Sequence, residues 1–283
     1  MNKPLLVPVD FSENAKIATE YAAQIAADTQ RDVHIIYIMT DHTNRFANAT
    51  WNKDLIEPLI QEALKNMEEM LVPIRAKYPS VNFTTSTRDG VLGEQLLSEA
   101  KNEKYSAIVM GTKGSSGLDS VFIGSNAYDV IKTTETPVLT VPKSITTYTK
   151  NNIGLLCNFK NGELEVLKQA IALFGNTFHL QLIHINKTDE DVETVDQKLR
   201  SWIDRIIQET GIDDISYTVK SPAYYIKYKE TIAHAIQQIL IDESVDILLV
   251  TKGRKNFFNY IFSENITKEL AFQSKIPNLF ARI

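Results

Sequence analysis

One cysteine in 283 residues, Cys157, excludes an internal disulfide and suits a reducing compartment. Its neighbours, Leu155-Leu156-Cys157-Asn158, read as the end of a buried strand, so the thiol is expected to be inert rather than nucleophilic. No apolar run approaches the roughly 20 residues that cross a bilayer. The chain opens on a short strand pattern, Pro4 to Val9, without the basic n-region and apolar core of a signal segment, and cytoplasmic residence is the expectation. Net charge is −5 and no run of lysines or arginines forms a nucleic-acid footprint, which disfavours that class of partner. The five histidines (34, 42, 179, 184 and 234) lack any ligand spacing, so a metal site is not expected. Glycine is absent from the first 89 residues.

That last absence makes the next stretch informative. Six of the 11 glycines (90, 93, 111, 114, 117 and 124) fall between residues 90 and 124, which marks one site rather than general loop composition. Residues 111–125 read GTKGSSGLDSVFIGS, the spacing G-x2-G-x9-G-S. The apolar run Ala107 to Met110 precedes it, and a helix-like stretch from Asn126 to Thr133 follows. A strand that ends in glycines and feeds a helix start presents several backbone N–H groups to one anion. Glycine there permits positive φ and close approach of a phosphate. The segment reads as a nucleotide phosphate cradle.

Strand and helix patterns alternate along the chain. Leu5–Val9, Asp32–Met39, Val81–Thr87, Ser106–Met110 and Pro137–Val141 read as strands. Asn14–Thr29, Asp54–Lys77, Leu92–Asn102 and 126–133 read as helices between them. The alternation argues for an α/β fold with a parallel sheet wrapped by helices. After a polar linker, Lys143 to Asn151, the series recurs. Asn158-Phe159 answers Asp10-Phe11 at an offset of 148, and His184-Ile185 answers Tyr37-Ile38 at 147. Pro277 answers Pro137 at 140, so the chain is two copies of one unit. The domains are expected at 1–143 and 151–283.

The opening Val7-Pro8-Val9-Asp10-Phe11-Ser12-Glu13, the His34–Thr40 strand and G-x2-G-x9-G-S together resemble the universal stress protein family, as a tandem pair. The resemblance implies two Rossmann-like domains of the adenine nucleotide alpha hydrolase type, each with a five-stranded parallel sheet flanked by helices. It implies ATP, with or without Mg or Mn, over the carboxyl ends of the first copy's strands. It further implies that Pro8, Val9, Asp10, Ile38, Met110, Gly111, Gly114, Gly124, Ser125 and Asn126 contact the nucleotide. Asp10 would accept from a ribose hydroxyl or base nitrogen; alternatively it caps the helix near Asn14, for which Ser12 is an equal candidate. Ile38 would offer its backbone to the adenine edge, its side chain packing on the ring or in the core. Gly111 and Gly114 would admit ribose and phosphate, and Gly124, Ser125 and Asn126 would supply donors at a helix N-terminus. Lys113 is a phosphate contact or an ordinary loop lysine. Gly90 and Gly93 line the mouth or make a turn. Ser115 to Ser120 imitates the SGGxDS loop of PP-loop enzymes, but it follows the fourth strand instead of the first and has Ser where that loop has Gly.

At the offset of 140 the second copy replaces Gly111 by Thr251, Gly114 by Arg254, Gly124 by Glu264 and Ser125 by Asn265, while Asn158 stands for Asp10. A glutamate at a phosphate site repels it by about 4 kcal/mol at 4 Å and an effective dielectric of 20. ATP binding by this copy in the family manner is therefore not expected. Aromatics replace the cradle: Phe257, Phe258, Tyr260 and Phe262, with Tyr224, Tyr225 and Tyr228 elsewhere. They either pack between domains or subunits or line a pocket for an apolar or aromatic ligand. Asp189–Glu209 reads as a solvated helix with Leu199, Trp202, Ile203 and Ile206 turned inward.

Three functions fit these features: a nucleotide-sensing stress regulator whose degenerate copy serves as a built-in partner, a slow ATPase or nucleotide-dependent transferase, and a nucleotide-free interaction module. The first accounts for the intact motif. Strands 137–141 and 278–282 are the expected edges for the internal pseudo-dimer or a homodimer.

Overall fold

The computed structural model of the chain describes residues 2–39, 53–101, 104–112, 125–186, 190–221, 232–252 and 274–282, except the side chains of residues 53–56 and Ser125. It divides into two compact units, Met1–Tyr148 and Thr149–Ile283.

The first unit runs β1 (Leu5–Val9), α1 (Glu13–Thr29), β2 (Val33–Met39), α2 (Lys53–Lys77), β3 (Phe83–Asp89), α3 (Leu92–Glu99), β4 (Ala107–Gly111), α4 (Ser125–Thr133) and β5 (Val138–Val141). Its strands lie in the order β3-β2-β1-β4-β5, and every pairing among them is parallel. β1 and β5 are buried at every residue, as continuous apolar strands covered on both faces must be. Helix α1 buries a stripe of small side chains, Ala15, Ala18, Ala22 and Ala26, and packs on β1 and β4. Small residues on that stripe let the helix axis sit close to the sheet.

The second unit repeats the plan with β6 (Asn152–Cys157), α5 (Asn161–Phe174), β7 (His179–Ile185), α6 (Val192–Thr210), β8 (Ile215–Lys220), α7 (Ile232–Asp242), β9 (Ile247–Lys252) and β10 (Asn278–Arg282). Its order is β10-β9-β6-β7-β8, again parallel throughout. Numbered from its own first strand, this is the order of the first unit. The registers make the equivalence residue by residue. Val9 pairs with Tyr37, and Cys157 pairs with His184, which reproduces the offsets of 148 and 147. Each unit is therefore a five-stranded parallel α/β sheet, as the alternation predicts.

Local signals shift some boundaries. β3 lies two residues beyond the expected strand, and α3 stops at Glu99. Helix α6 starts at Val192 because Asp191 caps it, its carboxylate accepting the Thr194 N–H at 2.9 Å. Its buried face is Val195, Leu199, Trp202 and Ile206, whereas Ile203 is only half-buried. One turn before Leu199, Val195 completes the 3-4 spacing that Ile203 does not continue.

Both first strands exit through the same unusual turn. Phe11 and Phe159 have positive φ of 62° and 63°, a region that bulky residues rarely enter. Each phenyl ring lies on the aromatic residue opposite the strand end. Phe11 meets Tyr37 at 4.9 Å between centroids, and Phe159 meets His184 at 4.8 Å. In the first unit Ser12 then caps α1, its Oγ accepting the Ala15 N–H at 3.2 Å. Ser12→Ala is expected to destabilise the first unit by about 1 kcal/mol, read as a lower urea midpoint at unchanged slope.

Candidate functional site

Strand order reverses between β1 and β4, since β1 leads to β2 on one side while β4 adds on the other. The crevice outside the carboxyl ends at such a point is where open α/β sheets take ligands. The register Leu5 with Ala107 and Leu6 with Ile108 carries Val9 level with Gly111. The fold therefore brings Pro8, Val9, Asp10, Met110 and Gly111 to one rim. Pro8, Val9 and Met110 are buried, while Asp10 is exposed. Ile38, on the neighbouring strand, is 7% exposed and belongs to the core. Asn126 is exposed in the first turn of α4, which Ser125 opens. Lys113, Gly114, residues 115–120 and Gly124 lie outside the described residues. So do the second copy's Tyr224, Tyr225, Tyr228, Arg254, Phe257, Phe258, Tyr260, Phe262, Glu264 and Asn265.

Of the two candidates for the cap at the helix start, one is used. Ser12 is the cap, and Asp10 instead folds the turn by accepting the Ser12 N–H on Oδ1 at 3.0 Å. This holds the carboxylate at the rim, next to the strand end. Gly90 is a turn residue, with φ of 126° and its N–H on the Met39 carbonyl at 3.0 Å.

Gly111 has a reason to be glycine that sequence reading did not supply. A Cβ there would stand 2.8 Å from the Asn14 carbonyl oxygen and 2.9 Å from the Asn14 Cβ. The first turn of α1 presses directly on the end of β4, so glycine is required by helix packing before any ligand enters. The second unit changes sides at this contact. Thr251 replaces Gly111 on the strand, and Gly162, 148 positions after Asn14, replaces the helix side chain. Gly162 is buried in α5, which packs on β9 as α1 packs on β4. The two offsets applied together carry this signal.

The second crevice also contains Glu163, which sequence reading missed. It stands in place of Ala15 and is 0% exposed. Its Oε1 accepts the Asn158 N–H at 2.7 Å, while Oε2 has no hydrogen-bond partner. Burial pushes this carboxyl up to about 7, against the weaker opposing pull of the backbone N–H groups of Asn158, Lys160 and Phe159 and of the Cys157 thiol. Beside it, burial pushes the Cys157 thiol well up, in keeping with an inert core cysteine. His184 has its basicity lowered by burial, and its Nδ1–H donates to the Cys157 carbonyl at 2.8 Å. A cavity of about 400 Å³ in this unit, lined by Asn151, Asn176, His179, Asp213 and Asp214 among others, opens at the amino ends of the strands, away from the crevice. Among the described residues no group of three or more His, Cys, Asp or Glu could hold a metal, and no helix is long and apolar enough to cross a membrane.

Two measurements check these assignments. Gly111→Ala should cost about 1–3 kcal/mol in denaturant unfolding, the usual penalty of overpacking. Asn14→Gly in the same chain should restore only part of it, because the nearest obstructing atom is backbone. For Glu163, the folded chain holds the proton between its ordinary 4.5 and about 7, while the unfolded chain has released it. The resulting stability is full below 4.5 and is lost as pH rises through about 7. Unfolding from pH 4.5 to 8 should show Glu163→Gln free of a decline of about 3 kcal/mol that the natural chain carries.

Comparison with known proteins bears on family and fold. The family model described as the universal stress protein family matches residues 1–142. Over 145 residues the chain is 32% identical to a universal stress protein of Methanocaldococcus jannaschii, covering 50% of this chain and 82% of that one. A universal stress protein of Bacillus subtilis is 25% identical over 147 residues, covering 50% of this chain and 99% of its own. The crystal structure of a universal stress protein from Archaeoglobus fulgidus covers 100% of this chain and 99% of its own at a TM-score of 0.77 and 16% identity, a likeness of fold. With a matching family model over half its length and the family's fold in both units, the chain belongs to the universal stress protein family.

Proposed function

We propose that the first unit binds ATP, alone or with Mg or Mn, and that the chain is a nucleotide-responsive stress regulator of the cytoplasm. The nucleotide-binding domain is taken as 1–143 and the degenerate domain as 151–283. The observation that carries this reading is the meeting of Asp10 and Gly111 at the switch point, with G-x2-G-x9-G-S leading from that rim into α4. An exposed carboxylate fixed by its own turn suits a ribose hydroxyl or base N–H. The start of α4 suits the phosphates, because its first N–H groups and the positive end of its dipole favour an anion. The second copy keeps the fold and replaces every glycine of the motif, so it serves as the built-in partner of the first. Homodimerisation belongs to the same proposal. Nucleotide binding would then shift a partner equilibrium by its differential affinity for two states.

Phosphoryl transfer needs a positioned base or water and charge neutralisation. Asp10 is the acid that the motif places at the rim, and one of its oxygens is engaged by the Ser12 N–H. Hydrolysis, on this reading, is slow. ATP should raise the melting temperature of the full chain, and Gly124→Glu, which copies residue 264 into the first domain, should abolish that rise without unfolding the protein. A retained rise in Gly124→Glu would refute the cradle assignment. Incubation with radiolabelled ATP and Mg²⁺ or Mn²⁺ separates the regulator from an enzyme, which would turn over several times per minute.

A further inference from the structure

The two units handle charge differently at the turn between first strand and first helix. In the first unit the turn closes on its own anion: Asp10 Oδ1 takes the Ser12 N–H and Ser12 Oγ takes the Ala15 N–H. In the second, neutral Asn158 replaces Asp10, and Lys160 replaces Ser12 and makes no side-chain cap on α5. Gly162 replaces Asn14, so this 14-residue helix carries no side chain of its own at that position of its first turn.

Three buried polar atoms without a hydrogen-bond partner belong to the segments that meet here: Asn158 Nδ2, Glu163 Oε2 and Thr251 Oγ1. Glu163 is 0% exposed and Thr251 8%. The Asn158 N–H bond to Oε1 fixes the Glu163 carboxyl against the turn. Thr251 occupies the strand position from which, in the first unit, a Cβ points at the first turn of the helix. It is therefore aimed at Gly162. Buried polar atoms that lack partners are uncommon, because each costs about 1–3 kcal/mol.

Their chemistry is one-sided. The Asn158 amide nitrogen is a donor, and the Thr251 hydroxyl can rotate to donate. A carboxyl buried without a paired cation favours its neutral form, which makes Oε2–H a donor while Oε1 goes on accepting from Asn158. The first-turn N–H groups of Asn161 and Gly162 are donors as well, at the positive end of the dipole, whereas the Glu163 N–H is taken by the Lys160 carbonyl at 2.9 Å. A set of donors calls for a ligand that only accepts.

We propose that the junction of β6, α5 and β9 in the second unit binds a small oxyanion, planar carboxylate or tetrahedral sulfate or phosphate, through Asn158 Nδ2, Thr251 Oγ1, the Glu163 carboxyl and the first-turn N–H groups of Asn161 and Gly162. The inference is independent of nucleotide binding by the first unit, where the corresponding residues are Asp10, Gly111 and Ala15. It includes a pH dependence. The titratable group that faces the Glu163 carboxyl is Cys157 on β6, whose thiol hydrogen-bonds it, and Lys160 in the turn meets it through its backbone N–H. Once Glu163 ionises, a negative charge replaces a donor. Affinity therefore falls as pH rises through about 7, by about tenfold per pH unit for one linked proton.

Sulfate is the probe, since its own charge is constant over this range. Amide NMR shifts of the full chain are followed on adding sodium sulfate, with sodium chloride at matched ionic strength as the blank and sodium acetate in a parallel arm. At pH 6 residues 158–163 and Thr251 should shift to saturation with sulfate, acetate or both, and the choice tells tetrahedral from planar. At pH 8 the affinity should fall at least fivefold. Glu163→Gln should bind equally at both pH values, and Thr251→Val should bind at least fivefold more weakly at both. The proposal is overturned by any of three results: no anion-specific shift in residues 158–163 at pH 6, equal affinity in Thr251→Val, or an unchanged pH dependence in Glu163→Gln. Amide spectra of the variants, compared before titration, report whether each has kept the fold, and either folded variant alone decides.

Discussion

The approach of the first helix to the end of the fourth strand sets the crevice in each unit. In the first, it is so close that a single Cβ on Gly111 would meet the Asn14 carbonyl oxygen at 2.8 Å. The alanine stripe of α1 allows that approach, and parallel pairing of β1 with β4 fixes its height along the sheet. Where one surface carries a side chain, the other carries glycine: Asn14 against Gly111, then Gly162 against Thr251. Interiors packed to crystal-like density leave room for one side chain at such a point, not two. The glycine that reads as a ligand feature is thus first a feature of helix packing.

The turn after the first strand is the second shared constraint. Phe11 and Phe159 keep a left-handed backbone that costs about 1–3 kcal/mol and persists only where surroundings over-determine it. In both units the phenyl ring is held on an aromatic ring opposite, Tyr37 or His184. The polar supports around it differ. Asp10 and Ser12 support the first turn from the loop side, whereas Glu163 supports the second from beneath the helix. Backbone geometry has outlasted the side chains that stabilise it, which is expected when the turn positions the helix for the whole unit.

Much of this was legible in the sequence. Strand–helix alternation, both copies and their offsets followed from apolar periodicity, because parallel strands buried on two faces leave continuous apolar runs such as Leu5–Val9. Glycine spacing pointed to Gly111, and the family resemblance named Pro8, Val9, Asp10 and Met110. Boundaries were less readable: α6 starts where Asp191 caps it, and Ile203 sits just off the buried stripe that Val195 completes. Neither Glu163 nor the reason for Gly111 could be read from one copy. A lone Glu in the first turn of a helix looks like a solvated residue that favours the dipole. Only its place beneath the turn, in a position that the first copy gives to Ala15, shows that it is buried.

That replacement bears on how the copies have diverged. Losing a phosphate cradle would require only side chains where glycines had been, and any side chain would suffice. Placing a carboxyl at 0% exposure is a different matter, since burial of an ionisable group with one oxygen unpartnered costs stability above its titration. Asn158, Lys160 and Thr251 differ from their counterparts at the same junction, and these changes respectively remove a negative charge, remove a cap and add a donor. Unselected drift would scatter such changes over both crevice walls with mixed sign. Here a buried acid that is neutral below about 7 sits among donors, so the changes share one electrostatic direction, toward a crevice that accepts negative charge from outside instead of supplying its own.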